Sequence, residues 1–339
     1  MAPLPDHIRI RLILTPNFNL AATMNFIDPF RAANYLEGRG LFQWEFASEH
    51  GGPCTASNGA SLETQALAEL PATSTDFLIV SSSWTPDEHG TPAILSALRT
   101  ASRQSITLGA IDTGAFVLAK AGLLNGRQAT VHYEHMDAFQ ELYPDIELSE
   151  DLTVFDGPRI TCCGGVASVD FGLQILQSTY GSDIANAAAR YIFHPEFRGH
   201  GAPQNPSGNE PMGATVPDVV RQAIKLMETN LEEPLNIPEI AEKAGISHRQ
   251  LNRLFSQYLR KTPALYYRDI RLDRARGLVT QTTLSMAQIA IASGFSSQIH
   301  FSRAYRDRFG LPPIQDRSEG RIPFEFRAWP MHRKSKSKT

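Results

Sequence analysis

A motif that occurs twice constrains this chain more than any other feature. Alanine, three residues, glycine, an apolar residue and serine stand at Ala241, Gly245, Ile246 and Ser247, and return 49 residues later at Ala290, Gly294, Phe295 and Ser296. The offset has become 50 at Arg253 and Phe255, which match Arg303 and Tyr305, so the second copy carries one inserted residue. Two copies at a near-fixed period predict one supersecondary unit used twice.

Each copy reads as a helix, a glycine turn and a second helix. Asn236 with Glu239, and Ser285 with Gln288, have capping-box spacing, in which two side chains satisfy free backbone groups at a helix start. The first helices run through Ile240, Ala241 and Ala244, and through Ile289, Ala290 and Ala292. Gly245 and Gly294 stop them, because glycine takes left-handed backbone angles without a Cβ penalty. Ser247 caps the next helix, whose Leu251, Leu254, Phe255 and Tyr258 recur at helical spacing and are expected in a core. His248, Arg249, Asn252 and Arg253 are left facing outward, as are Gln298, Ser302, Arg303 and Arg306 in the second copy. Such side chains pair with base edges and phosphates, as a recognition helix in a major groove must. A small bundle with a solvated basic face would account for one copy; two copies with matching caps, turns and arginines point to DNA.

From about Val219 to Pro313 the chain resembles the AraC/XylS family of bacterial transcription regulators. The residues that carry the resemblance are Gly294-Phe295-Ser296-Ser297-Gln298, His300-Phe301-Ser302-Arg303 and Arg308-Phe309-Gly310. It implies two helix-turn-helix units, joined by a long helix, that read successive major-groove segments on one face of a double-stranded DNA operator. The joining helix would be Ala264 to Val279, where Tyr267, Ile270, Leu272 and Leu278 mix with Arg268, Arg271, Arg274 and Arg276 to suit a two-sided connector.

Charge places the DNA contacts in the C-terminal part. Residues 1–217 hold 11 Lys and Arg against 23 Asp and Glu, a net of −12, whereas residues 218–339 hold 21 against 12, a net of +9. A basic half is the footprint of a nucleic-acid partner. The length, 339 residues, leaves room for a second domain with its own core.

That domain is expected over residues 8–195, where strands and helices alternate. Ile8–Leu14, Phe42–Ser48, Asp76–Val80 and Ile106–Ile111 read as strands, the last two as short apolar runs of the kind buried in parallel sheets. Helices are expected from about Ala22 to Leu36 and near Pro92 to Arg103. The fold class is therefore α/β, a doubly wound flavodoxin-like parallel sheet, followed by an all-α double helix-turn-helix domain. Ligands bind such sheets at the carboxyl ends of strands. One such end is Ala110-Ile111-Asp112-Thr113-Gly114-Ala115, a sharp strand-to-helix turn that projects a side chain into the cleft, as in a nucleophile elbow.

These residues, with Gly122 to Thr130 leading to His132, resemble the class I glutamine-amidotransferase-like superfamily that contains the PfpI-type proteins. The resemblance covers about Ile8 to Phe193 and implies an elbow nucleophile that is cysteine, where this chain has Asp112. The acidic partner near the start of the first helix would fall at Ala22, which holds neither proton nor charge. Only His132 remains. The expectation is a retired active site: no catalytic residue, no cofactor, no metal. The alternatives are an amidotransferase-like hydrolase fused to DNA-binding helices, or a protein-interaction module.

An amidotransferase-like domain followed by an AraC-type domain resembles the GlxA subgroup of AraC regulators, as do Asp28-Pro29-Phe30-Arg31-Ala32-Ala33-Asn34 and Leu226 to Leu235. The resemblance implies a sensor for small nitrogenous metabolites such as glycine betaine, carnitine, sarcosine or arginine. Cleft candidates are Phe18, Ser83, Trp84, Asp112, Thr113, His132 and Tyr133; aromatic rings and a carboxylate favour a cationic, quaternary-amine or amino-acid-like effector. The reading is a regulator, of the activator kind, with RNA polymerase as a further partner and a homodimer as its assembly.

Three cysteines, Cys54, Cys162 and Cys163, make neither a disulfide framework nor a zinc pattern, and are expected as buried, reduced packing residues. With no signal peptide and no apolar run of spanning length, the expected location is the cytoplasm, away from membranes. Residues 196–216, rich in glycine and proline, are expected as a linker. The DNA-binding domain would occupy 217–315 and a basic tail 316–339, in which Phe324, Phe326 and Trp329 are available to pack on a domain.

Overall fold

A computed structural model describes residues 7–69, 75–204 and 216–319. The chain divides into two compact units, with the division after Gln204. The first contains strands β1 (Ile8–Leu14), β2 (Phe42–Ser48), β3 (Gly52–Thr55), β4 (Ser61–Ala66), β5 (Phe77–Ser82), β6 (Thr107–Asp112), β7 (Gln128–Ala129), β8 (Glu147–Leu148), β9 (Thr153–Asp156) and β10 (Arg159–Cys162). Eight of these form one sheet in the order β3-β4-β2-β1-β5-β6-β10-β9, and β7 pairs with β8.

From β4 to β10 the neighbouring strands are parallel. The central strands are buried as near-continuous apolar runs, with Leu12, Ile13, Ile79 and Val80 at 0% exposure, as a sheet covered on both faces requires. Both edges depart from the expected all-parallel sheet, because β3 pairs antiparallel with β4 and β9 antiparallel with β10. The helices are α1 (Leu20–Glu37), α2 (Pro92–Arg103), α3 (Gly114–Lys120), α4 (Met136–Leu142), α5 (Ala167–Tyr180) and α6 (Ser182–Tyr191). Helices α1, α5 and α6 pack on one another, while α2 and α3 lie against β6. Phe26 of α1 meets Phe30 and Phe171 with ring centroids 5.2 and 5.3 Å apart. Phe18, a cleft candidate, is fully buried in this same core, so it offers no surface to a ligand.

The expected boundary at residue 195 falls too early. The segment after α6 is bound back onto the first unit by the fully buried Asp170, which accepts hydrogen bonds from Arg198 N (2.8 Å), Nε (2.9 Å) and Nη2 (2.6 Å) and pairs with His194 Nε2 at 2.8 Å. Further along, Gln204 Nε2 donates to Val131 O at 2.9 Å and Thr130 Oγ1 at 3.0 Å. The glycine and proline content of this stretch denies it helix or long strand, but side-chain bonds fix it all the same. The remainder of the expected linker, residues 205–215, lies outside the described residues.

The second unit is helical: α7 (Asp218–Glu228), α8 (Ile237–Lys243), α9 (His248–Leu259), α10 (Pro263–Gln281), α11 (Met286–Ala292), α12 (Gln298–Phe309) and α13 (Pro313–Glu319). Both capping boxes form in full, at Asn236 with Glu239 and at Ser285 with Gln288. Gly245 and Gly294 take φ of +72° and +70°. Ala241 and Ala290 are buried at the corresponding helix contacts. The recognition-type helices are capped by Ser247 and Ser297, so the inserted residue sits in the second turn, and the caps match at an offset of 50. Leu251 and Phe255 are buried as expected, but Tyr258, on the same stripe in the last turn of α9, is 37% exposed.

The long helix α10 joins the two copies. Its Tyr267 donates from the hydroxyl to Asn230 O, and Arg271 Nη1 donates to Gly294 O at 2.7 Å while lying 4.9 Å over the Phe295 ring. The unit also runs past the expected limit at 315. Asp316 of α13 is fully buried and accepts from Tyr305 Oη at 2.7 Å and Arg276 Nε at 3.0 Å. The aromatic and basic residues expected in the tail beyond 319 lie outside the described residues.

Candidate effector cleft and nucleic-acid interface

The first site is at the end of β6. Asp112 adopts φ of +62°, an angle uncommon for a residue with a Cβ, and turns the chain directly into α3. Gly114 makes this turn possible by close approach, since a Cβ there would lie 2.3 Å from Val80 O. The Thr113 hydroxyl, fully buried, donates to the Ser83 carbonyl and locks the turn to the end of β5. Thr113 and Ser83 thus hold the elbow.

The Asp112 carboxyl is 4% exposed, and Asn19 Nδ2 donates to its Oδ2 at 3.1 Å. Burial raises its pKa from 3.8 to about 6; the charge of His132 and the hydrogen bond from Asn19 pull the other way, the charge of Glu134 pushes it up again, and a hydrogen bond with Ser83 lowers it. His132 is half-buried, with its ring stacked on Tyr133 at 4.6 Å and its Nδ1 accepting from Glu134 N at 3.4 Å. Tyr133 is 61% exposed and Trp84 is half-buried.

Sequence reasoning missed Asn19. It caps α1, accepting from Ala22 N through Oδ1, and its amide reaches Asp112, 93 residues away. The clue was positional: Asn19 follows the carboxyl end of β1, near which the other strand ends gather. Ala22, where an acid would stand, is fully buried. Cys162 pairs in register with Ile111, beside the elbow, but it is fully buried and burial holds its thiol well above the usual range. All three cysteines are buried and free. Among the described residues, no group of three or more His, Cys, Asp or Glu is placed to hold a metal ion, and no helix is long and apolar enough to cross a membrane.

The second site is the outer face of α9 and α12. His248, Arg249 and Arg253 are exposed, and Asn252 is half-buried with its Nδ2 2.9 Å from His248 Nε2. On α12, Gln298, Arg303 and Arg306 are exposed and Ser302 is half-buried; with Ile299 and Pro312 they line a shallow concavity of about 610 Å³. The arginines divide by role. Arg271, Arg276 and Arg308 hold the helices together, Arg308 by a bidentate pair to Asp273 at 2.6 Å. Arg249, Arg253, Arg303 and Arg306 form no ion pair among the described residues and present their charge outward.

Residues 240–319 match the helix-turn-helix domain family and residues 12–178 the DJ-1/PfpI family. The chain is 40% identical over 306 residues to the HTH-type transcriptional regulator CdhR of Pseudomonas aeruginosa, covering 90% of both chains. It is 37% identical to the HTH-type transcriptional regulator GlxA of Rhizobium meliloti, covering 90% of this chain and 94% of the relative. The chain belongs to the GlxA subgroup of AraC-family transcriptional regulators. The regulator also shares its fold, over 72% of its chain, with 92% of a ThiJ/PfpI family protein from Pseudomonas syringae, at 21% identity and a TM-score of 0.51. It is a DNA-binding transcriptional regulator, and α9 and α12 occupy the recognition-helix positions of its two helix-turn-helix units.

Proposed function

We propose that the regulator is switched by a small cationic nitrogen compound, a quaternary amine or amino-acid-like molecule, held above Asp112 in a domain that performs no chemistry. One observation carries this reading: a buried carboxylate at a strand end forms no ion pair with lysine or arginine among the described residues. An ionised carboxylate is costly to bury without a counter-charge, and an ammonium or guanidinium group supplies one. On this reading Trp84 and Tyr133 supply aromatic rings to the cation, and the charge of His132 acts on the carboxylate.

On this reading Asn19 orients the carboxylate, and Ser83 with Thr113 fixes the elbow. His248, Arg249, Asn252 and Arg253 of α9, with Gln298, Ser302, Arg303 and Arg306 of α12, contact the operator. The regulator acts as a cytoplasmic homodimer that activates transcription by recruiting RNA polymerase. The test combines calorimetry with candidate amines, operator binding by fluorescence anisotropy, and mass spectrometry of the recovered amine. Asp112→Asn should abolish effector binding and leave effector-free operator binding intact. Product that accumulates with the wild type and vanishes with Asp112→Asn would instead establish an enzyme.

A further inference from the structure

Ile299 is 79% exposed, although it sits on a helix whose apolar side is already complete. Phe301 and Tyr305 of α12 are fully buried and close the core beneath it. A β-branched residue also has no helix propensity to recommend it at an exposed position. Ile299 stands four residues before Arg303 and seven before Arg306, which puts the three on one helix face, and all line the same concavity. That is the face an operator would meet.

The first recognition helix carries a different residue at this place. Measured from the caps Ser247 and Ser297, Ile299 corresponds to Arg249. Arginine matches the O6 and N7 acceptors of guanine, whereas isoleucine neither donates nor accepts a hydrogen bond. The one apolar group that base pairs present in the major groove is the C5-methyl of thymine. We infer that Ile299 is a specificity-determining residue that reads a thymine methyl in the operator segment under α12. The two units thereby read different bases from equivalent positions, which gives the operator a direction. This inference rests on α12 entering a major groove.

The test selects operator sequences from a random duplex pool with the full-length regulator, then replaces each thymine of the enriched site singly by deoxyuridine. That change removes the methyl and leaves the hydrogen-bonding edge intact. At one position in the segment under α12, wild-type affinity should fall about fourfold, the worth of one buried methyl group. The same replacement should cost Ile299→Ala nothing and Ile299→Val an intermediate amount. Absence of any uracil effect, or an effect of equal size in Ile299→Ala, overturns the inference. So does an Ile299→Ala variant that loses transcriptional activation with its uracil profile unchanged, which would mark a protein contact. Failure of the underlying reading is distinguishable: no sequence would be enriched, or Arg303→Ala would bind the enriched site as the wild type does.

Discussion

Asp112 holds a negative charge where burial disfavours it, and that tension is measurable. The folded carboxyl keeps its proton up to about pH 6, whereas the unfolded one releases it near 3.8, so the folded state binds more protons between these values. The stability this group contributes is fully present below the lower value and is lost as the pH rises through the higher one. Asp112→Asn should therefore raise the melting temperature of the first unit at pH 7, by an amount worth at most about 3 kcal/mol, and the advantage should disappear at pH 4. Effector affinity in the wild type should run the opposite way, increasing as the pH rises through about 6, because the cation needs the ionised form; a flat calorimetric profile from pH 5 to 7.5 would count against it. On the DNA side, Arg253→Ala and Arg303→Ala should each weaken specific binding by about 1–3 kcal/mol in gel shifts. At this scale Asp112 was legible because Ile-Asp-Thr-Gly marks a strand end turning into a helix. Asn19 was not, since only the parallel sheet brings it to Asp112, and Phe18 was misplaced because sequence spacing does not separate an aromatic ring lining a cleft from one filling the core beside it.

The two glycine turns differ in one respect that a substitution exposes. A Cβ on Gly245 meets nothing within 4 Å, whereas one on Gly294 would lie 2.4 Å from Leu231 O and 2.5 Å from Pro234 Cγ. Gly245→Ala should cost only the left-handed backbone, about 1–2 kcal/mol. Gly294→Ala should cost clearly more in denaturant unfolding, and should also weaken operator binding, because it pushes the second helix-turn-helix away from the loop that enters the first. Equal effects in the two variants would mean that this close approach is unimportant. The repeat, its capping boxes and its turns could all be read from residues three or four apart. The antiparallel edges were missed although both carried a signal, Asn58-Gly59 between β3 and β4 and Asp156-Gly157 between β9 and β10. Strands of only four residues on β3, β9 and β10 leave too few positions for alternation to register.

For the whole molecule, the first part of the chain is acidic and the part that holds the helix-turn-helix match is basic, as charge alone led us to expect. If the regulator is the proposed homodimer assembled through its first unit, residues 1–204 should sediment as a dimer at micromolar concentration, and a monomer there would remove the assembly from the reading. Domain limits were less legible, since a glycine- and proline-rich stretch looks like a linker whether or not its side chains are tied down. Gln204, the last described residue before the division, hydrogen-bonds Thr130 and Val131, which directly precede His132. If effector binding shifts that short run, the chain's departure point shifts with it, and Gln204→Ala should bind effector normally while its operator affinity no longer responds. Thermodynamic reciprocity then applies in the other direction. Whatever factor the metabolite applies to operator affinity, operator DNA must apply to metabolite affinity, so the regulator on its promoter and the regulator free in solution would answer to different metabolite concentrations.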